Sequence, residues 1–192
     1  MRVPADRILG GEGQAFAIAQ TRHGGGRIHH AMRTIALLHK AFDMMLERAA
    51  SRQTARGPLA SLQLAQQRIA ESWIEIEQFR LLVLRTAWLI DKPKDYREVR
   101  GHISAVKAQM PKGLRDVAQR AMHLHGALGI SNEMPFTEMI VESEVMALAD
   151  GPTEVHRSGS PASTRNRIHE IDTTDLVTLE SALDRSGRLA TC

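Results

Sequence analysis

An all-α fold, an antiparallel up-and-down four-helix bundle with a short C-terminal tail, is what the 192-residue sequence predicts. Three observations predict it. Aromatic residues make up only 4% of the chain while Ala, Leu, Ile and Met abound, a balance that favours helix over strand. Apolar residues recur at spacings of three and four along segments of roughly 30 residues, each about 45 Å if helical. Arg56-Gly57-Pro58 and Asp91-Lys92-Pro93 interrupt those segments, and such short connections make consecutive helices antiparallel neighbours.

Taken in order, residues 1–12 read as a linker: Arg2 to Leu9 is a loop or strand remnant entering Gly10-Gly11-Glu12-Gly13. The helical domain is expected over 13–157. In its first helix, Ala31, Ile35, Leu38, Phe42, Met45 and Ala49 form one continuous apolar stripe. Gly24-Gly25-Gly26 lie within that helical stretch, where each glycine costs about 1 kcal/mol relative to Ala. A bend, a close backbone approach or a simple hinge would account for them. The second helix, over 59–91, has Leu62, Ile69, Trp73, Ile76, Val83, Ala87 and Ile90 on its apolar face. The third carries Val99, Ile103, Val106, Met110, Leu114, Val117, Ala121, Leu124 and Leu128, and Pro111 is expected to kink it without changing the buried face. A shorter fourth helix covers 136–149. Ser158-Gly159-Ser160-Pro161 opens a linker and tail over 158–192, where Leu176, Leu179 and Leu183 suggest one more short helix or a frayed end.

Composition excludes several function classes. The only cysteine is the terminal Cys192, so there is no internal disulfide and no thiolate metal cluster. The 25 basic and 22 acidic residues are interspersed, unlike the concentrated basic stripe of a nucleic-acid binder. No stretch approaches the roughly 20 apolar residues of a membrane span, and no apolar signal segment follows Met1, so the expected compartment is the cytoplasm. The nine histidines include His29-His30 and His123-x-His125, pairs that diverge on a helix, and no HExxH occurs; no metal site is expected.

The segment that stands out is Ala149-Asp150-Gly151-Pro152-Thr153-Glu154-Val155-His156-Arg157. An acidic residue ends an apolar helix, a glycine turns the chain and a proline opens the next helix. On this segment alone, Asp150 reads either as a helix cap or as a functional carboxylate.

Read together, several separated motifs resemble the C-terminal helical domain of the acyl-CoA dehydrogenase family over approximately residues 1–157. Val3-Pro4-Ala5-Asp6-Arg7-Ile8-Leu9-Gly10 resembles the exit from that family's β-domain. Arg27, in Gly26-Arg27-Ile28-His29-His30, matches an arginine near the active site. Arg52, with Leu59 and Gln63, resembles a signature that contacts FAD across a subunit interface. His123-Leu124-His125-Gly126-Ala127-Leu128-Gly129 resembles a stretch whose backbone approaches the FAD of a neighbouring subunit, and Asp150-Gly151 falls where the catalytic carboxylate and its following glycine occur. Gly-Arg-Ile-His-His together with Ala-Asp-Gly-Pro-x-Glu-Val-His is most similar to an aspartate-based branch. The chain departs from the usual pattern at Ala55 (an aromatic), His123 (a glutamine), Ala127 (a glycine), Pro152 (a threonine) and Glu154 (a glutamine).

The resemblance implies α,β-dehydrogenation of an acyl-CoA thioester. Asp150 would remove the α-proton, the β-hydrogen would leave as hydride to FAD, and Arg27 would tune the carboxylate or order the pocket. Arg52, Gln63, His123, Gly126, Gly129 and Glu154 would meet the cofactor. It also implies a homodimer or homotetramer, electron-transferring flavoprotein as the acceptor, and a need for the N-terminal and β domains that precede this region in full-length members, on a separate chain if not on this one. The alternative is a non-catalytic helical oligomerisation scaffold derived from the family.

Overall fold

The computed structural model describes residues 2–92 and 96–159. The sequence expectations for the tail beyond 159, including a helix through Leu176, Leu179 and Leu183, lie outside the described residues. Five α-helices dominate: α1 (Ala15–Ser51), α2 (Gln63–Asp91), α3 (Tyr96–His125), α4 (Phe136–Leu148) and α5 (Thr153–Gly159). Arg2 to Leu9 contains a 3-10 turn at Ala5–Arg7 and is exposed throughout, a loop rather than a strand. The only sheet among the described residues is the hairpin between α1 and α2, with β1 (Gln53–Thr54) paired antiparallel to β2 (Gly57–Pro58).

The hub of the fold is α3, which packs against α1, α2, α4 and α5. Its eight stripe residues from Val99 to Leu124 are all buried. At about 1.5–3 kcal/mol for each large apolar side chain taken from water, that face is the main stabilising surface. Pro111 sits buried inside an assigned helix that continues on both sides of it. The helix ends at His125, and residues Gly126–Ile130 tighten into a 3-10 turn, leaving Leu128 half-exposed instead of on the stripe. Cross-helix ties give the directions. Arg85 of α2 meets His102 near the start of α3, and Arg120 near the end of α3 makes a bidentate pair with Glu75 of α2, both bonds 2.8 Å. The His125 ring packs at a tilt against Phe136 at the start of α4, and Arg48 reaches the His125 carbonyl. The chain therefore runs antiparallel between α2 and α3 and between α3 and α4, while α1 and α3 end together.

The first stripe is observed as expected, with Ala31, Leu38, Met45 and Ala49 buried and Ile35 and Phe42 packed partly against the core. The second needs correction. Trp73 and Ile90 are exposed, and the buried positions are Ala65, Ser72, Ile76, Phe79, Val83 and Thr86. Two small hydroxyl residues can face the core because each satisfies itself on its own helix, Ser72 on the Arg68 carbonyl and Thr86 on the Leu82 carbonyl, both at 2.7 Å. The bulkier tryptophan is left on the outer face.

Candidate active site

The site is built on the break between α4 and α5. Ala149 is extended, and the next two residues then take positive φ, Asp150 at +56° and Gly151 at +105°. Aspartate tolerates the left-handed region better than most residues. Gly151 is required twice over: its backbone conformation suits glycine, and a Cβ there would lie 3.1 Å from the His156 ring.

This reversal separates the carbonyl of Asp150 from its carboxylate. The carbonyl accepts from Arg27 Nε at 3.1 Å and Nη2 at 2.8 Å, and His156 Nε2 lies 3.2 Å away. Arg27 is itself anchored on Gln20. Because a carbonyl only accepts, His156 carries its proton on Nε2, leaving Nδ1 to accept from Ser104 Oγ at 3.4 Å. Burial pushes the pKa of this ring down, opposed by its bond to the Asp150 carbonyl and reinforced by Arg27 and Lys107. The neutral imidazole fits that hydrogen-bond pattern.

The carboxylate turns the other way, toward α1. Oδ1 lies 2.8 Å from His23 Nδ1, and Oδ2 lies 3.6 Å from His30 Nε2. A Cβ on Gly26 would sit 3.6 Å from Oδ2, so a longer side chain there would crowd the carboxylate. His23, Gly26, Arg27 and His30 are spaced i, i+3, i+4 and i+7, which places all four on one face of α1. Of the glycine triplet, Gly26 faces the carboxylate while Gly25 faces open space, and all three lie within a continuous helix. Beneath the turn, Lys107 of α3 is 1% exposed and donates to the Met146 carbonyl, one of the groups α4 leaves unpaired at its end. Burial pushes its ammonium pKa down, Asp150 counteracts this, and Arg27 adds to it. Alongside His30, a cavity of about 260 Å³ opens between α1 and α4, lined by Arg33, Thr34, Leu37, Glu142 and Met146. His30 Nδ1 is buried there without a partner.

The sequence-expected residues fall into two groups. Asp150 and Arg27 come together, with Glu154 exposed in the first turn of α5. The cap reading of Asp150 does not fit a carboxylate engaged by two imidazoles of α1. Arg52, Gln63, His123, Gly126 and Gly129 lie where α1 and α3 end and α2 begins. Arg52, Gln63 and His123 are exposed there, and Gly126 takes a φ of +67° in open space. Gly129 has a packing reason of its own, since a Cβ would lie 2.2 Å from the Met122 carbonyl oxygen. From Arg27 to Arg52 is 25 residues along one helix (52 minus 27), about 37 Å.

Residues 11–160 match the family model of the acyl-CoA dehydrogenase C-terminal domain. The chain belongs to the acyl-CoA dehydrogenase family. A probable acyl-CoA dehydrogenase of Mycobacterium tuberculosis is 42% identical over 156 residues, which is 81% of this chain and 38% of that protein. Mouse acyl-CoA dehydrogenase family member 11 is 39% identical over 158 residues, 82% of this chain and 20% of the relative. Among solved structures, one described as an acyl-CoA dehydrogenase from Mycobacterium abscessus superposes with a TM-score of 0.81 at 37% identity, covering 86% of this chain and 40% of that one. Butyryl-CoA dehydrogenase of Megasphaera elsdenii gives 0.77 at 25% identity, covering 84% and 42%. The chain thus spans at most 42% of these relatives, and what it shares with them is the helical acyl-CoA dehydrogenase domain.

Sequence reasoning missed four members of the site. Lys107 had a signal: it sits four residues after Ile103 and next to Val106, inside the apolar stripe, where a lysine must find a buried partner. His30 and His156 were quoted in motifs without a role, and His23 became visible only when α4 returned its last turn to α1. No group of three or more metal-ligating side chains forms among the described residues, and no helix there is long and apolar enough to cross a membrane.

Proposed function

We propose that this chain supplies the proton-abstracting end of an acyl-CoA dehydrogenase, with Asp150 as the base that removes the α-proton of an acyl-CoA thioester. The observation that carries this reading is the left-handed turn at Asp150. Three nitrogens hold its carbonyl while its carboxylate, on a side chain only 18% exposed, stays directed at the histidine face of α1. Arg27 serves by ordering the turn, since its bonds go to the main chain and not to the carboxylate. A weakly acidic carbon acid needs its base positioned and its developing charge met by donors. The Asp150 N–H is the donor that the family resemblance assigns to the thioester oxygen.

The far end of the bundle has the chemistry to hold FAD. Arg52 is exposed beside the N-terminus of α2, which has no side-chain cap, so a cation and unpaired N–H groups suit a diphosphate. Gln63, His123 and the open backbone at Gly126 would border it, with Gly129 holding that turn against α3 and Glu154 lying toward the Asp150 end. Bound there, FAD supplies the hydride acceptor. Because the two ends are about 37 Å apart, one cofactor reaching both kinds of residue would do so across two copies, which supports a homodimer or homotetramer. Electron-transferring flavoprotein is the acceptor this reading expects.

The first test is the visible spectrum of the purified chain after incubation with excess FAD and desalting. A retained flavin band that is lost in Arg52→Ala supports the cofactor assignment; a colourless protein that also fails to bind acyl-CoA favours the scaffold reading. Turnover of the enzyme assembled with its β and N-terminal domains is expected to fall at least 100-fold in Asp150→Asn, the scale of a lost general base. Unchanged turnover would remove Asp150 from the mechanism.

A further inference from the structure

A proton taken up by Asp150 needs a way out of the covered turn, and the geometry points to His23 as that route. We infer that His23 relays the proton from Asp150 to solvent, an inference that rests on the acyl-CoA reading. Of the groups facing the Asp150 side chain, Arg27 of α1 directs its guanidinium to the carbonyl and Gln20 and not to the carboxylate, so it offers the carboxyl proton no route. His30 of α1 stands at 3.6 Å, beyond direct transfer, with its other nitrogen buried and unpartnered. Lys107 of α3 is committed to the Met146 carbonyl, and His156 of α5 to the Asp150 carbonyl and Ser104. His23 combines a 2.8 Å contact to Oδ1 with a side chain 41% exposed. It joins the covered carboxyl to water through a single imidazole.

The step balances. Once Asp150 is protonated, the Nε2–H tautomer of His23 offers its Nδ1 lone pair to the carboxyl. The O–H bond breaks, an N–H bond forms at Nδ1, and the Nε2 proton leaves to water. Carboxylate and the resting Nδ1–H imidazole remain, and exchange of the exposed ring with water supplies the Nε2–H form before each transfer. His23 thus acts through Asp150, as a positioning and relay residue and not as a group touching substrate.

The test has a structural and a kinetic arm. In the ¹⁵N spectrum of the full chain near neutral pH, His23 is expected as the Nδ1–H tautomer donating to Asp150, reverting in Asp150→Ala to the Nε2–H form that free imidazole prefers. A His23 tautomer indifferent to that substitution overturns the pairing. In the kinetic arm, α-hydrogen exchange of a saturated acyl-CoA is followed in D₂O with the chain assembled with its β and N-terminal domains and FAD. His23→Gln is expected to slow exchange about tenfold, a fraction of the general-base effect, with unchanged thioester affinity and partial rescue by imidazole buffer. Equal exchange in both proteins, or a loss that imidazole does not rescue, overturns the relay alone. Absence of exchange in the unsubstituted assembled enzyme overturns the acyl-CoA reading and the relay with it.

Discussion

At Asp150, a φ of +56° sends the carbonyl to Arg27 and His156 and the carboxylate to His23, so fold and chemistry draw on different atoms of one residue. Two substitutions should therefore separate. Asp150→Asn keeps a residue that accepts left-handed backbone, and its thermal midpoint is expected within a few degrees of the unsubstituted chain even as activity is lost. Arg27→Ala removes the carbonyl's charged donor and is expected to cost about 1–3 kcal/mol in urea unfolding. A pH effect belongs to the same cluster. Burial holds the folded His156 pKa below 6.5, so between the two values the unfolded chain binds the extra proton. The stability this group contributes is complete above about 6.5 and lost as pH falls through that window. Unfolding free energies at about pH 7.5 and 5.5 should differ more in the unsubstituted chain than in His156→Asn. Asp150 and Arg27 were legible because motif order carried them. The partners of Asp150 were not, because a contact between residues 23 and 150 depends on where four helices place their ends.

For single elements, legibility followed how fully a helix is enclosed. On α3, surrounded by four others, the hydrophobic period located the described buried apolar side chains except Ala118, though not the buried Lys107 and His125. On α2 it did not, because apolar residues lie on two faces and the core face is completed by Ser72 and Thr86. The junction after α3 shows a different limit. Gly129 reads as a glycine that invites a cofactor, yet its packing on Met122 already demands one. Gly129→Ala is expected to destabilise the chain by about 1–3 kcal/mol whether or not FAD is present, as overpacking does, and parallel unfolding curves with and without cofactor would check it.

Over the whole molecule, the exposed apolar residues are concentrated on the outward side of α2, where Trp73, Leu81, Leu84 and Trp88 are 43–60% exposed. Such a face suits association of copies, and Leu81→Glu or Leu84→Glu is expected to shift the chain toward monomer in light scattering without loss of helicity by circular dichroism. The first four helices and their order were legible in the sequence, but which faces stay open was not, because periodicity marks an apolar face without saying what covers it. The 37-residue α1 carries Arg27 about a third of the way along its length and ends just before Arg52. It works as a ruler. One residue inserted between those arginines would lengthen it by about 1.5 Å and turn one end about 100° against the other, so neither residue could keep its register with the rest of the bundle. Surface loops can gain or lose residues freely, whereas the residue count of α1 is itself a heritable dimension of the protein.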